Sequence, residues 1–495
     1  MNLGGELILV LDSGTTSTRA MAFDPAGTLR GVAQRELTQF YPRPGWVEHD
    51  AAEIRDTTLA CAQAVVSQCG GAGRFASLAI TNQRETVVAW DKRTGEPLAN
   101  AIVWQDRRTA DTCASLREEG LEPRVQAMTG LLLDPYFSAS KMGWLMANAA
   151  PVREAAAVGR LAFGTVESWL VWSLTGGLHI SDASNASRTM LLPLAGETWD
   201  ASQCDLFGVP MDVLPEVVDN AGRFGTTLPD LLGGRIAITG LVGDQQSATL
   251  GQGCLTPGQT KATFGTGAFV LANLGRAIPR SRHRLLGTVL SQLGGERSYA
   301  LEGSVFVAGS LVQWLRDSLG LIGAAGETEE LARSVDDTGG VVIVPALSGL
   351  GAPHWRPDVR AAISGLSFAT GRAHIARAAL EAMAMQTRDL AQAFAGDGAR
   401  WTSLRIDGGM SANDWMAQDL ADMLEVPVER PDFVETTALG AAMLAGLGAG
   451  MFATLDEAAA ALRGPVREFR PEMAQDRRDA RIASWDEALQ RSLRH

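Results

Sequence analysis

Only three of the 43 basic residues are lysines: Lys92, Lys141 and Lys261. None of them stands in a G-x-x-x-x-G-K-[ST] loop or in a V-A-I-K-like strand behind a glycine loop, which argues against P-loop and protein-kinase chemistry. Cysteine is sparse as well. Cys61, Cys69, Cys113, Cys204 and Cys254 are odd in number, dispersed and never spaced as C-x-x-C, which argues against a disulfide framework or a zinc site. Excess positive charge is missing too: the formal net charge is −13, so nucleic acid is not expected as a partner. The N-terminal stretch MNLGGELILVLD has no basic n-region and reaches an acidic residue too early for a secretory leader. One window, 436–455 (TTALGAAMLAGLGAGMFATL), lacks charge and is long enough to span a bilayer. Its Gly and Ala content, with Pro431, Asp432, Glu435 and Asp456 beside it, fits a closely packed buried helix better. No membrane insertion and a cytoplasmic location are therefore expected.

At 495 residues the chain exceeds one ordinary hydrophobic core, so two domains are the default. LILVLD and TRAMAFD read as strands, DPAG (24–27) as a turn and LRGVAQREL as a further strand. Asp50 and Glu53 form a capping-box pattern ahead of Ile54, Thr58, Cys61, Val65 and Cys69 at helical spacing, which predicts a helix over 51–69. Strands are predicted at 78–82, 86–91, 101–105 and 236–243, and helices around 106–119, 138–149 and 165–175. Near residue 250 the pattern starts again: GQTKATFGTGAFVLANLG (258–275) reads as strand, glycine-threonine turn, strand. A strand at 298–302 follows, then a helix whose apolar face includes Val305, Leu311, Val312 and Leu315. A strand at 340–347, a helix at 372–395, a strand at 404–409 and helices at 412–424 and 437–447 complete the pattern. The order of elements predicts two α/β domains, 1–251 and 252–495, each a mixed sheet flanked by helices, with a cleft between them.

Four polar, glycine-marked segments follow predicted strands. Each alone reads as an ordinary turn, and only their combination is informative. In DSGTTS (12–17) a tight hairpin points successive N–H groups into a concavity, a nest that holds phosphate oxygens without a lysine. Asp12 at the strand end is placed to serve a divalent cation through water, and Arg19 supplies positive charge. In GLVGDQQ (240–246) Asp244 follows a strand and a glycine, where it can accept a proton from an attacking hydroxyl or cap a helix. FGTGAF (264–269) is the second-half counterpart of the first loop. DGGMSAND (407–414) lets backbone approach a flat ligand closely, which suits adenine or ribose.

These four segments resemble the ATP-binding plan shared by sugar kinases, actin and the Hsp70 ATPase. YPRPGWVEHD (41–50), ITNQRET (80–86), NAIVWQDRRTA (100–110), DPYFSASKMGWL (134–145), NASRTML (185–191), GDQQ and GLGAPHW (349–355) look like the FGGY carbohydrate kinases, and among them the members that phosphorylate glycerol. The likeness runs from about residue 7 to about 470. It implies two ribonuclease-H-like (actin-like ATPase) domains around a cleft, and ATP-dependent conversion of glycerol to sn-glycerol 3-phosphate in glycerol catabolism. By the resemblance, Arg84, Glu85, Trp104, Tyr136, Asp244, Gln245 and Phe269 form the glycerol site. Thr15, Thr16, Ser17, Arg19, Thr266, Gly309, Gln313, Gly409 and Asn413 form the nucleotide site. Asp12 and Asp244 flank Mg2+, Asp244 is the general base, and the assembly is a homodimer or homotetramer. The residue types suit a small polyol, since Glu85 and Asp244 accept from hydroxyls, Arg84 donates to two of them, and Trp104 and Phe269 cover C–H surface.

The chain departs from that pattern in places. Ser13 stands where Gln is common, His354 and Arg356 where Tyr and Asp are usual, and RAAISG where RGAIFG is common. The segment 226–238 has no histidine, which argues against control by histidine phosphorylation. A fructose-1,6-bisphosphate site is not supported either, for Gly234 and Arg235 remain in a shortened loop. Two rivals are a kinase of a pentulose or sugar acid, whose larger substrate needs a different pocket, and an actin-type nucleotide-binding regulator, in which the acceptor base should be lost.

Overall fold

The computed structural model describes residues 6–356, 358–433 and 435–494. Met1–Gly5, part of the stretch that argues against a leader, lie outside the described residues. The first half builds a six-stranded sheet from β1 (Leu7–Ser13), β2 (Ser17–Phe23), β3 (Leu29–Glu36), β4 (Phe75–Asn82), β5 (Ala221–Thr226) and β6 (Ala237–Gly243), in the order β5-β6-β4-β1-β2-β3. The second half builds a seven-stranded sheet from β7 (Gln259–Phe264), β8 (Ala268–Gly275), β9 (Leu286–Leu293), β10 (Glu296–Val305), β11 (Ser403–Asp407), β12 (Val428–Pro431) and β13 (Val466–Phe469), ordered β9-β10-β8-β7-β11-β12-β13. In each half the leading hairpin, β1/β2 or β7/β8, is antiparallel, and the first hairpin strand runs parallel to a later one, β4 or β11. The repeat expected from the order of elements is thus present in strand order and direction.

Both faces of the first sheet are covered, as the continuous apolar run of β1 requires. Leu7, Leu9 and Leu11 point into one core with α1 (Ala51–Gln68), whereas Ile8 and Val10 point into another. That second core is closed by a helix from the far end of the chain. After α2 (Asp244–Gly251), α3 (Gly309–Asp317), α4 (Arg372–Gly396) and α5 (Asp414–Leu424) comes α6 (Thr436–Ala449), which lies on β1, β4 and β6 beside α2. This is the charge-free window. Its glycines explain the composition: a Cβ on Gly440 would stand 1.8 Å from the Ser247 carbonyl oxygen, and one on Gly251 2.0 Å from that of Thr436. The two helices approach at backbone contact, which only glycine allows. No helix among the described residues is long and apolar enough to cross a membrane. The second sheet packs its core on α4, α5 and the C-terminal helix α7 (Gln475–Leu493). A third core, built from short helices and strands between residues 87 and 214 with Leu286 of β9, supports the loop that carries Tyr136.

Local expectations are corrected where side chains found other partners. Asp50 caps α1 through the Ala52 amide, but Glu53 accepts from the Thr38 amide and hydroxyl instead of completing a capping box. The helix placed at 106–119 starts only at Ala110, because the Asp106 carboxylate is engaged by the amides of Val47 and Arg108. Val305 ends β10 rather than opening a helix, and the strands placed at 101–105 and 340–347 shrink to Ala101–Ile102 and Val342–Val344.

Candidate active site

A three-residue loop closes the leading hairpin of each sheet. Gly14-Thr15-Thr16 joins β1 to β2, and Gly265-Thr266-Gly267 joins β7 to β8. Each closes with one short bond, Gly14 N–H to the Ser17 carbonyl at 3.0 Å and Gly265 N–H to the Gly267 carbonyl at 2.9 Å. Neighbours then take the loop carbonyls. Gln83 Nε2 and Leu37 N–H donate to Gly14 and Thr16, while the start of α3 donates from Gly309 to Gly265 and from Ala308 and Ser310 to Thr266. With the carbonyls occupied, the loops offer amides, as an anion nest requires. Gly309 is needed for this approach, since a Cβ there would lie 2.6 Å from the Gly265 carbonyl oxygen.

Of the two hairpins only the first carries charged side chains within three residues of its loop; beside the second, Asp407 of β11 accepts from the Thr263 hydroxyl. Arg19, across from Asp12 in the β1/β2 register, donates Nη2 to Asp12 at 2.8 Å and Nη1 to Glu435 at 2.5 Å. Burial raises the Asp12 carboxyl above its usual range, with Arg19 opposing.

The acceptor side is a compact charge network at the end of β4. Arg84 and Glu85 are both buried, and Glu85 holds φ +62°, a left-handed conformation that costs a non-glycine residue about 1–3 kcal/mol. The surroundings offset that strain: Arg188 Nε donates to Glu85 Oε1 at 2.6 Å, and the Ser138 hydroxyl donates to the Glu85 carbonyl at 3.1 Å. Arg84 donates to Glu302, to Gln246 Oε1 and, at 3.4 Å, to the Tyr136 hydroxyl, and its Nε lies 3.3 Å from Asp244. All its donors meet protein partners, with those to Asp244 and Tyr136 long at 3.3 and 3.4 Å. Although burial opposes charge on Glu302, Arg188 and Arg84 together pull its carboxyl down to about 2.

Asp244 is the first residue of α2 and accepts from the Gln245 amide at 2.6 Å. Its side chain keeps 30% exposure to the cleft. Burial pushes its carboxyl up to about 6, Arg84 opposes the rise, and Glu85 adds to it. A carboxylate held near 6 is poised to accept a proton at neutral pH.

Trp104 Nε1 donates to the Thr15 hydroxyl at 2.9 Å, and the Trp104 ring meets Tyr136 edge-on at 5.5 Å. The hairpin expected to hold phosphate thus touches the residues expected to hold the acceptor. Ser17 opens β2 and half-buried Phe269 sits on β8 opposite Ser304. Gln313 is exposed on α3, and Gly409 opens a short helical turn after Gly408, whose φ is +87°. Asn413 is the N-cap of α5, accepting from Met416 N–H and donating to Thr328, so its carbonyl oxygen is already engaged. The departures tie other parts together: His354 lies 3.8 Å from Asp389 on α4, and Arg356 donates to Asp358 and the Leu493 carbonyl on α7.

Sequence reasoning missed five charged groups. Arg188 lies within NASRTML but carried no role. Lys261 is one of the three lysines, and its buried ammonium donates to Gln245 Oε1 at 2.7 Å. Glu435 is the partner of Arg19. Glu302 had a readable signal: a lone carboxylate in the apolar run YALEGSVF, buried to 1%. Lys141, unassigned in DPYFSASKMGWL, donates to the carbonyls of Pro135, Tyr136 and Phe137 and so fixes the turn that presents Tyr136.

Asp12 and Asp244 are near enough for the charge on one to raise the other. Two hard oxygen donors with surplus negative charge suit Mg2+, which takes one or two protein carboxylates and completes its shell with water and phosphate oxygens. No group of three or more metal-binding side chains occurs among the described residues.

The N-terminal domain of the FGGY family of carbohydrate kinases matches residues 7–251, and its C-terminal domain matches residues 260–449. The chain is 53% identical over 487 residues to a glycerol kinase of Alcanivorax borkumensis, covering 98% of each chain. Its fold superposes on the crystal structure of Plasmodium falciparum glycerol kinase with ADP at a TM-score of 0.94 and 35% identity, covering 98% of each chain. A xylulose kinase of Rhodospirillum rubrum shares the fold at a TM-score of 0.87 with 25% identity, covering 97% of this chain and 98% of that one.

Proposed function

This chain belongs to the FGGY family of carbohydrate kinases, and from that premise we propose that it transfers the γ-phosphoryl group of ATP to a terminal hydroxyl of glycerol, giving sn-glycerol 3-phosphate and ADP. The observation that carries the reading is the juxtaposition of Asp244, Arg84 and Tyr136 with the Trp104–Thr15 bond, which sets a small polyhydroxyl pocket against a phosphate-binding hairpin. Asp244 takes the hydroxyl proton as the acceptor oxygen bonds to the γ-phosphorus and the bond from that phosphorus to the bridging oxygen breaks. Arg84, Glu85 and Gln245 orient the hydroxyls, while Trp104 and Phe269 cover the carbon chain and exclude water that would otherwise accept the phosphoryl group. The amides and hydroxyls of Thr15, Thr16, Ser17 and Thr266, with Arg19, hold the phosphates. Gly309, Gln313, Gly409 and Asn413 bound the nucleoside.

Asp12 and Asp244 would hold Mg2+, which neutralises charge on the transferring group. On this reading residues 1–251 supply the glycerol and phosphate side and 252–495 the nucleotide side, in a cytoplasmic homodimer or homotetramer. ATP-dependent ADP release with glycerol, dihydroxyacetone, D-xylulose and gluconate tests this assignment. Glycerol should give the highest kcat/KM, and glycerol turnover no faster than the rate without acceptor would refute it.

A further inference from the structure

We propose that Glu302, contributed by the second sheet, is the positioning residue that presents Arg84 to the acceptor hydroxyls; this rests on the assignment of Arg84 to the glycerol site. Both terminal nitrogens of Arg84 donate to this one carboxylate, Nη1 to Oε2 at 2.7 Å and Nη2 to Oε1 at 3.1 Å. A two-point fork of this kind fixes the plane of the guanidinium as well as its position. The remaining contacts are longer. Nε stands 3.3 Å from Asp244 Oδ1, and Nη2 reaches the Tyr136 hydroxyl only at 3.4 Å. Nε and Nη2 share one edge of the guanidinium, so the weakly held edge faces the acceptor base and the aromatic wall. An acceptor diol laid on that edge exchanges two long contacts for two hydroxyls while the fork stays in place.

Glu302 Oε1 also accepts from Arg188 Nη2 at 3.2 Å, and Arg188 in turn holds Glu85. One carboxylate therefore braces both substrate-side charges, and it acts through the arginines. Without the fork, Arg84 has competing anions at hand: Asp244 already touches Nε, and Glu85 Oε1 lies 3.9 Å from it. Rotation onto these would close the edge that the hydroxyls need. The placement also joins the two sides of the reaction, because β10 continues from Glu302 into the α3 start, where Gly309 binds the second phosphate-side loop.

Steady-state kinetics of the full-length Glu302→Gln and Glu302→Asp variants, beside the wild type, test this. Glu302→Gln should raise KM for glycerol about thirtyfold and leave KM for ATP within about twofold, because one charge-assisted fork is lost on the acceptor side alone. Glu302→Asp, which keeps the charge on a shorter arm that strains the fork, should raise KM for glycerol by only about threefold, again with KM for ATP unchanged. An unchanged KM for glycerol overturns the proposal, and so does an equal rise in both KM values, which is the mark of a merely structural residue. If circular dichroism shows Glu302→Gln unfolded, Glu302→Asp decides by the same split: a rise in KM for glycerol alone supports the proposal and no rise overturns it. A wild type inert toward glycerol refutes the substrate assignment instead, and the split is then read on whichever polyol the wild type does phosphorylate.

Discussion

The loops Gly14-Thr15-Thr16 and Gly265-Thr266-Gly267 have the same length and the same place in their sheets, and each is closed by its first glycine amide, yet they differ in charge. The first is flanked by Asp12 and Arg19, with Glu435 beyond. The second has no charged side chain between Thr263 and Phe269 and relies on Gly309, which brings the α3 backbone against the Gly265 carbonyl. The same β-hairpin thus serves two roles. On the proposed assignment it places charge beside the transferring group in the first half, and supplies shape and backbone donors in the second. Glu302 and Glu435 are the exceptions, charges from the second half that hold arginines of the first.

The largest effect that would sharpen this contrast lies in the buried network. Arg188→Met removes the short ion pair of Glu85 and one of the two arginines on Glu302, and should cost about 3–5 kcal/mol of stability, read as a fall in denaturation midpoint. Unchanged stability would mean that the charges of the first half are not mutually supporting. Arg84→Lys cannot form the fork to Glu302 and should raise KM for glycerol about a hundredfold, with KM for ATP nearly constant. On the other side, Gly309→Ala forces backbone apart without touching charge. It should raise KM for ATP about tenfold and spare glycerol, and the reverse pattern would break the division of labour.

The charged half should also titrate. Because burial holds the Asp244 carboxyl up near 6, the group is protonated and useless as a base below that value. kcat/KM for glycerol should therefore fall about tenfold per pH unit below about pH 6 and level off above it. A profile flat down to about pH 4.5 would count against Asp244 as base. The smallest effect is Thr15→Val, which removes the acceptor for Trp104 and one of several phosphate-side hydroxyls and should cost about fivefold in kcat/KM.

Much of the fold was legible in the sequence because the strands bracketing each loop are apolar and the glycine-threonine turns recur near the midpoint. What escaped depended on contacts between distant segments. α6 covers the first sheet although it lies near the end of the chain, and no local pattern announces that. The same holds in the site. Arg84, Glu85, Asp244, Trp104 and Tyr136 stand in segments recognisable by their motifs and do lie together. Glu302 and Arg188 matter through partners more than 100 positions away, so only the folded chain shows what they pair with. The Glu53 and Asp106 corrections have the same origin, as each carboxylate found a tertiary partner in place of a local helix role.

Catalysis on this reading turns on Asp244 as the proton acceptor for glycerol. Rapid-quench measurement of the first turnover, with saturating ATP and glycerol, compares the wild type with Asp244→Asn directly. A loss of about 100- to 10,000-fold in the rate of sn-glycerol 3-phosphate formation, with ATP binding retained, is the predicted result. A variant that forms product at the wild-type rate would contradict it.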